Sequence, residues 1–160
     1  MEQILTADLS LPNHAAAIVW LLNEYAQDPM GGGKELTPFV KQNLIAELKN
    51  RPNIHVVLAF IDDQPAGLAL CIEGFSTFAC KPLLNIHDIV VISEYRGRGL
   101  SKRLLGRVEE IAQDLGCCKL TLEVLEGNPV AQAAYRAFGF EGYELNPETG
   151  KALFWQKNLD

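Results

Sequence analysis

The chain has 160 residues, 48% apolar and 21% charged, with 20 acidic against 14 basic side chains and a net charge of −6. That is the composition of a single globular domain, and it excludes a disordered tail, a collagen-like fibre and a disulfide miniprotein. No apolar run approaches about 18 residues, Met1 to Leu5 lack a basic leader, and the acidic balance disfavours nucleic acid, so a cytosolic protein is expected.

In chain order, Ile4 to Ala7 predict a short strand. Ser10 is expected to cap a helix with Pro12 in its first turn and Ala16, Val19, Leu22 and Tyr25 on its buried stripe. Asp28-Pro29-Met30-Gly31-Gly32-Gly33 ends it in a loop that three glycines should leave mobile. Thr37-Pro38 opens a second helix with Phe39, Val40, Leu44, Ile45 and Leu48 on its apolar face, stopped by Arg51-Pro52-Asn53. Ile54 to Ile61 and Ala66 to Glu73, joined at Asp62-Asp63-Gln64-Pro65, read as a hairpin. Leu83 to Ile92 is a third apolar strand. Leu104, Leu105, Val108, Ile111, Ala112 and Leu115 then repeat at helical spacing over a helix from about Leu100 to Leu115, with Gly116 as its stop. Lys119 to Leu125 predicts a strand, and Asn128-Pro129 starts a helix ending at Gly139. Glu141 to Leu145 and Leu153 to Gln156 read as two final strands around a turn at Asn146-Pro147. Trp20, Tyr25 and Trp155 could line an acceptor pocket, but core packing is the favoured expectation for each.

Four cysteines, Cys71, Cys80, Cys117 and Cys118, show no CxxC spacing and no clustered histidines. Reduced, mostly buried thiols and no metal site are expected. The informative segment is Ile89-Val90-Val91-Ile92-Ser93-Glu94-Tyr95-Arg96-Gly97-Arg98-Gly99-Leu100-Ser101-Lys102. A buried strand enters a glycine-bearing turn that opens a helix, and unpaired helix N-terminal amides bind anions. Arg96, Arg98, Lys102, Arg103 and Arg107 are five of the 14 cations. A diphosphate is the natural guest. The phosphate loop GxxxxGK[ST] does not fit the spacing of Gly97 and Gly99, and a GxGxxG fingerprint from Gly97 would place its third glycine on Lys102.

With the second half of the chain, the sequence resembles the GCN5-related N-acetyltransferase (GNAT) superfamily. The motif [RQ]-x-x-G-x-[GA] is matched by Arg96, Gly99 and Ser101, with serine where glycine or alanine is usual. N-x-x-A-x-x-x-Y-x-x-x-G-F is matched by Asn128, Ala131, Tyr135, Gly139 and Phe140. The stretch from Gly74-Phe75 through Asn85-Ile86-His87-Asp88 to Tyr95-Arg96-Gly97 resembles the diamine and polyamine branch, which carries Glu where His87 stands.

The resemblance implies an α/β fold, a mixed and mostly antiparallel sheet of about six or seven strands with four helices, splayed between two central parallel strands. It implies one N-acetyltransferase domain over residues 1–160 and acetyl-CoA as co-substrate. Ile89, Val90 and Val91 would hold the pantetheine arm, and Arg96, Gly97, Arg98, Gly99, Leu100, Ser101 and Lys102 the diphosphate. Asn128, Ala131 and Tyr135 would meet the cofactor nearer the thioester. Tyr135 is the candidate acid for the leaving thiolate, His87 the candidate base, and Asp88 a second base or an anchor for a cationic amine. Amides near Val91 would hold the oxyanion. Glu24, Asp28 and Glu35 around the triglycine loop suggest a small cationic acceptor amine. Acetylation of a protein or peptide amine, a non-catalytic CoA sensor and an ATP-binding regulator are the alternatives. Many relatives form dimers through their C-terminal strands.

Overall fold

A computed structural model describes residues 1–159. They fall in two compact units, Met1–Leu122 and Glu123–Asp160.

The first unit carries one sheet with strands in sequence order: β1 (Glu2–Thr6), β2 (Ile54–Ile61), β3 (Gln64–Ser76), β4 (Lys81–Val91) and β5 (Leu120–Leu122). The first four are antiparallel neighbours, and β4 and β5 are parallel over only Leu84–Ile86 and Leu120–Leu122. Five strands therefore form where six or seven are expected. Asp62 and Asp63 make the tight β2–β3 turn with φ of 49° and 62°, the left-handed pair that matches hairpin twist.

Helix α1 (Pro12–Gln27) and helix α2 (Pro38–Lys49) precede β2, and helix α3 (Leu100–Asp114) follows β4. Ile18 and Leu21 of α1 meet Val56, Leu58, Leu68, Leu70 and Val90 in one buried cluster. Leu104 of α3 packs beside Gly67, on the other face of β3. Each fully buried leucine contributes roughly 1.5–3 kcal/mol relative to exposure, so alternate apolar residues on β3 hold a helix on either side.

Of three local expectations, two change and one holds. Ser10 does not cap α1. Its N–H and hydroxyl both donate to Asp8 Oδ1, at 2.9 and 2.6 Å, and Leu11 takes the cap position without a side-chain bond. Thr37 does cap α2, accepting from Val40 N–H. The triglycine loop is tied down: Gly31 and Gly33 N–H donate to Asp28 O, and Lys34 N–H to Ala26 O. A Cβ on Gly31 would stand 1.9 Å from Tyr25 O, so only glycine lets this turn fold back on α1.

The second unit holds α4 (Pro129–Phe138), capped by Asn128 Oδ1 accepting from Ala131 N–H at 3.2 Å and stopped by Gly139 at φ 113°. Phe140 turns back so that its ring meets Tyr135 at 6.1 Å and Phe138 at 6.2 Å. The two expected final strands are not built: one antiparallel bridge, Glu144 with Lys151, joins the limbs of the Asn146-Pro147 turn. Glu148, Thr149 and Gly150 lengthen that turn, and Thr149 and Gly150 both donate back to Asn146.

Candidate acetyl-transfer site

The site in the first unit is the far half of β4 and the loop behind it. Because β5 pairs only as far as Ile86, β4 from His87 to Val91 has no ladder on that side. Ile92 N–H donates to Ala66 O. In an antiparallel ladder the hydrogen-bonded pairs alternate, so Val90 points its N–H and C=O at Leu68, while Ile89 and Val91 turn theirs to the open edge. An extended ligand can pair with those two residues. Val90 gives its side chain to the core.

At His87 the strand carries a bulge. Leu70 pairs with Asp88 and Cys71 with Ile86, leaving His87 with no partner on β3. Leu70 and Cys71 are consecutive and face opposite ways, so Ile86 and Asp88, two residues apart, also face opposite ways. Plain alternation, which would set His87 and Asp88 on opposite faces, does not apply here. The bulge sends Asp88 to the α1 side with Leu70 and Val90. Burial pushes the Asp88 carboxyl above its usual range, against the charge of His87. Tyr25, in the last turns of α1, has its phenol pushed up by burial first and then by the carboxylates of Asp88 and Asp28. Tyr25, half-buried, packs against the core as expected and also lies within the field of the Asp88 carboxylate.

Behind β4, Gly97 and Gly99 adopt φ of 76° and 74°, the left-handed region that favours glycine. Gly99 caps α3 without a side-chain bond, so the N–H groups of Leu100, Ser101 and Lys102 lack helical acceptors and form an anion cradle. Arg96 does not contribute its amide, because Arg96 N–H donates to Ser93 O. Its guanidinium instead braces the loop: Nε donates to Val91 O at 2.9 Å and Nη2 to Asp28 Oδ2 at 3.2 Å.

The basic cluster is correspondingly less available than its sequence density suggests. Arg103 bonds Glu2 at 2.7 Å and the carbonyl of Arg98 at 3.0 Å. Arg107 bonds Glu110 and Thr6. Arg98 lies over the Tyr95 ring at 5.5 Å. Carboxylates thus offset three of the five cations, and Lys102, which is exposed, makes no such contact among the described residues. Two of the three acidic residues around the triglycine loop are likewise engaged. Asp28 accepts from Met30 N–H and Arg96, which hold its carboxyl below the usual range, and Lys41 does the same for Glu35.

The thiols are outside this chemistry. Cys71 is buried and pushed up to about 12 by burial and by Asp88. Cys80 and Cys118 are exposed and Cys117 is half-buried with its thiol raised by burial, so only one of the four is enclosed as expected. No group of three or more potential metal ligands occurs among the described residues. Asn128, Ala131 and Tyr135 lie on or at the start of α4 in the second unit, where Tyr135 is half-buried.

The model of the acetyltransferase (GNAT) family matches residues 16–140, and the chain belongs to that family of N-acetyltransferases. It is 29% identical over 125 residues to thialysine N-epsilon-acetyltransferase of Caenorhabditis elegans, covering 78% of this chain and 75% of that protein. It is 37% identical over 96 residues to the bovine (Bos taurus) protein of the same name, where the match covers 55% of this chain and 56% of the relative. Among solved structures it resembles aminoglycoside N-acetyltransferase AAC(6')-Iy in complex with the bisubstrate analogue CoA-S-monomethyl-acetylneamine, with a TM-score of 0.76, 18% identity and 99% of both chains covered.

Proposed function

We propose that this protein transfers the acetyl group of acetyl-CoA to a primary amine of a small cationic molecule, the whole chain acting as one cytosolic N-acetyltransferase domain. The observation that carries the reading is the join of an open β4 edge to a left-handed glycine turn and an uncapped α3 N-terminus. An extended amide arm ending in a diphosphate needs both features in that order. The outward N–H and C=O of Ile89 would pair with the pantetheine amides, while Val91 O already accepts from Arg96 Nε. The N–H groups from Gly97 to Lys102 would take the diphosphate, with Lys102 and Arg98 as the nearest uncommitted charge.

The reaction is direct attack of the neutral amine on the thioester carbonyl. An outward amide of β4, Val91 N–H in this reading, would donate to the oxyanion. The departing thiolate takes a proton from Tyr135, a role assigned by the family motif and not by placement. Asn128 Oδ1 caps α4, so its side-chain NH2 is the group left to meet the pantetheine.

His87, exposed at the bulge, is the base in this reading, and Asp88 with Tyr25 holds the acceptor's positive charge. Names of relatives that refer to thialysine and to aminoglycosides support an amine-bearing small molecule. The test is an amine panel of thialysine, lysine, diamines and an aminoglycoside, with an N-terminal peptide as the contrasting class, read by thiol release. Turnover confined to the peptide would transfer the assignment to protein amines, and CoA binding without any turnover would make the domain a sensor.

A further inference from the structure

A cleft of about 700 Å³ opens on the α1 side of the sheet, where β2 ends, β3 begins and β4 runs into its loop. That size lies within the roughly 300–1,000 Å³ of small-molecule sites. It is lined neither by the outward edge of β4 nor by Gly97 to Lys102, so it is separate from the site above.

Its most informative residue is His14, only 8% exposed. Asp8 N–H donates to His14 Nδ1 at 3.0 Å. Nδ1 therefore carries no proton, and in the neutral ring Nε2 does. His14 lines the cleft, and among the described residues Nε2–H has no acceptor. Among the described residues every fully enclosed side-chain polar atom has a partner, so Nε2 keeps a small open surface. A donor this nearly buried and unmatched is an invitation to an acceptor atom from outside.

The surroundings define the rest of the guest. Phe60, tilted on His14 at 5.9 Å between centroids, and Trp20, 42% exposed, supply flat apolar surface. Trp20 is thus not the core residue expected from the sequence. Two carboxylates, Asp63 and Glu94, line the cleft, and no lysine or arginine does. The neighbouring Arg98 stacks on Tyr95 without entering the lining.

We propose that this cleft binds a small aromatic monoamine that carries a hydrogen-bond acceptor. The ring lies on Trp20 and Phe60, the acceptor oxygen meets His14 Nε2–H, and the ammonium sits between Asp63 and Glu94. The proposal does not rest on the acetyl-transfer reading.

The test uses tyramine as probe, without acetyl-CoA. A Trp155→Phe variant leaves Trp20 as the sole indole of the two in the chain. Its emission is expected to change saturably with tyramine, and the His14 Nε2 resonance to shift with the same Kd. The double variant Asp63→Asn, Glu94→Gln, altering two exposed side chains, is expected to raise that Kd about fivefold or more. 3-Phenylpropionate, with the charge reversed, is expected not to bind. An absent or linear response of Trp20 overturns the proposal. So does a tyramine Kd unchanged by the double variant, which would place the amine at Asp88 or elsewhere.

Discussion

The same substitution at two glycines seven residues apart has opposite expected signs. Gly99 stands at φ 74° before α3, and a Cβ there would meet Arg103 Nη1 at 3.2 Å. A left-handed non-glycine residue costs roughly 1–2 kcal/mol, and the guanidinium is flexible enough to move. Gly106 lies inside α3, and a Cβ there would meet nothing within 4 Å.

Gly106→Ala removes a helix-interior glycine and is expected to stabilise by about 0.5–1 kcal/mol. In Gly99→Ala the strain has two outlets. If the turn holds its shape, stability falls by about 1–2 kcal/mol, a Tm drop of several degrees for a chain this long. If the turn relaxes, the amides of Leu100 to Lys102 lose their aim, and the Kd for CoA rises about five- to thirtyfold, the same energy as affinity. Urea unfolding with and without CoA, alongside calorimetric CoA titration, measures both outlets. The two losses in Gly99→Ala are expected to total about 1–2 kcal/mol. Loss in neither would mean that the left-handed turn is not required, and the cradle would lose its physical basis.

Three further expectations concern charge and protons. The Asp88 carboxyl is raised in the folded chain, so the folded state favours its protonated form; its contribution to stability is full below the unfolded carboxylate range and lost as pH rises through the raised value. Asp88→Asn is therefore expected to raise Tm at neutral pH, with the gain over wild type fading below about pH 4, while raising the acceptor KM; a lower Tm at neutral pH would contradict the burial argument. Lys102→Ala is expected to weaken CoA binding and flatten its salt dependence, whereas Arg107→Ala, which loses Thr6 and Glu110, lowers Tm with CoA affinity kept. His87→Ala is expected to lower kcat at saturating acetyl-CoA by about 10²-fold, and an unchanged pH–rate profile would remove His87 from proton transfer.

Much of this molecule was legible in its sequence because local rules agree with the fold. Thr37-Pro38 and Asn128-Pro129 both mark helix starts through short-range capping bonds, and the α3 stripe is buried at Leu104, Leu105 and Val108. The glycine turn was readable for the same reason: both glycines take the conformation that only their missing side chain makes easy. What stayed hidden depends on pairing. The bulge at His87 appears only when β4 is set against β3, because nothing in Ile86-His87-Asp88 says which residue will lack a partner. The bracing of Arg96 by Val91 O and Asp28 joins residues 68 positions apart. A basic cluster on paper therefore becomes mostly structural ion pairs in the fold. The last two strands are reduced to a single bridge, which joins Glu144 of the first to Lys151, ahead of the expected start of the second at Leu153.

The most direct test of the central claim is to incubate the protein with acetyl-CoA and thialysine and to follow thiol release and the amine product together by mass spectrometry, with ATP replacing acetyl-CoA as control. The account predicts one N-acetylated amine per thiol released, abolished by Tyr135→Phe in a variant that still binds CoA. Thiol release without acetylated amine across the amine panel, or stabilisation by ATP equal to that by acetyl-CoA, would contradict it.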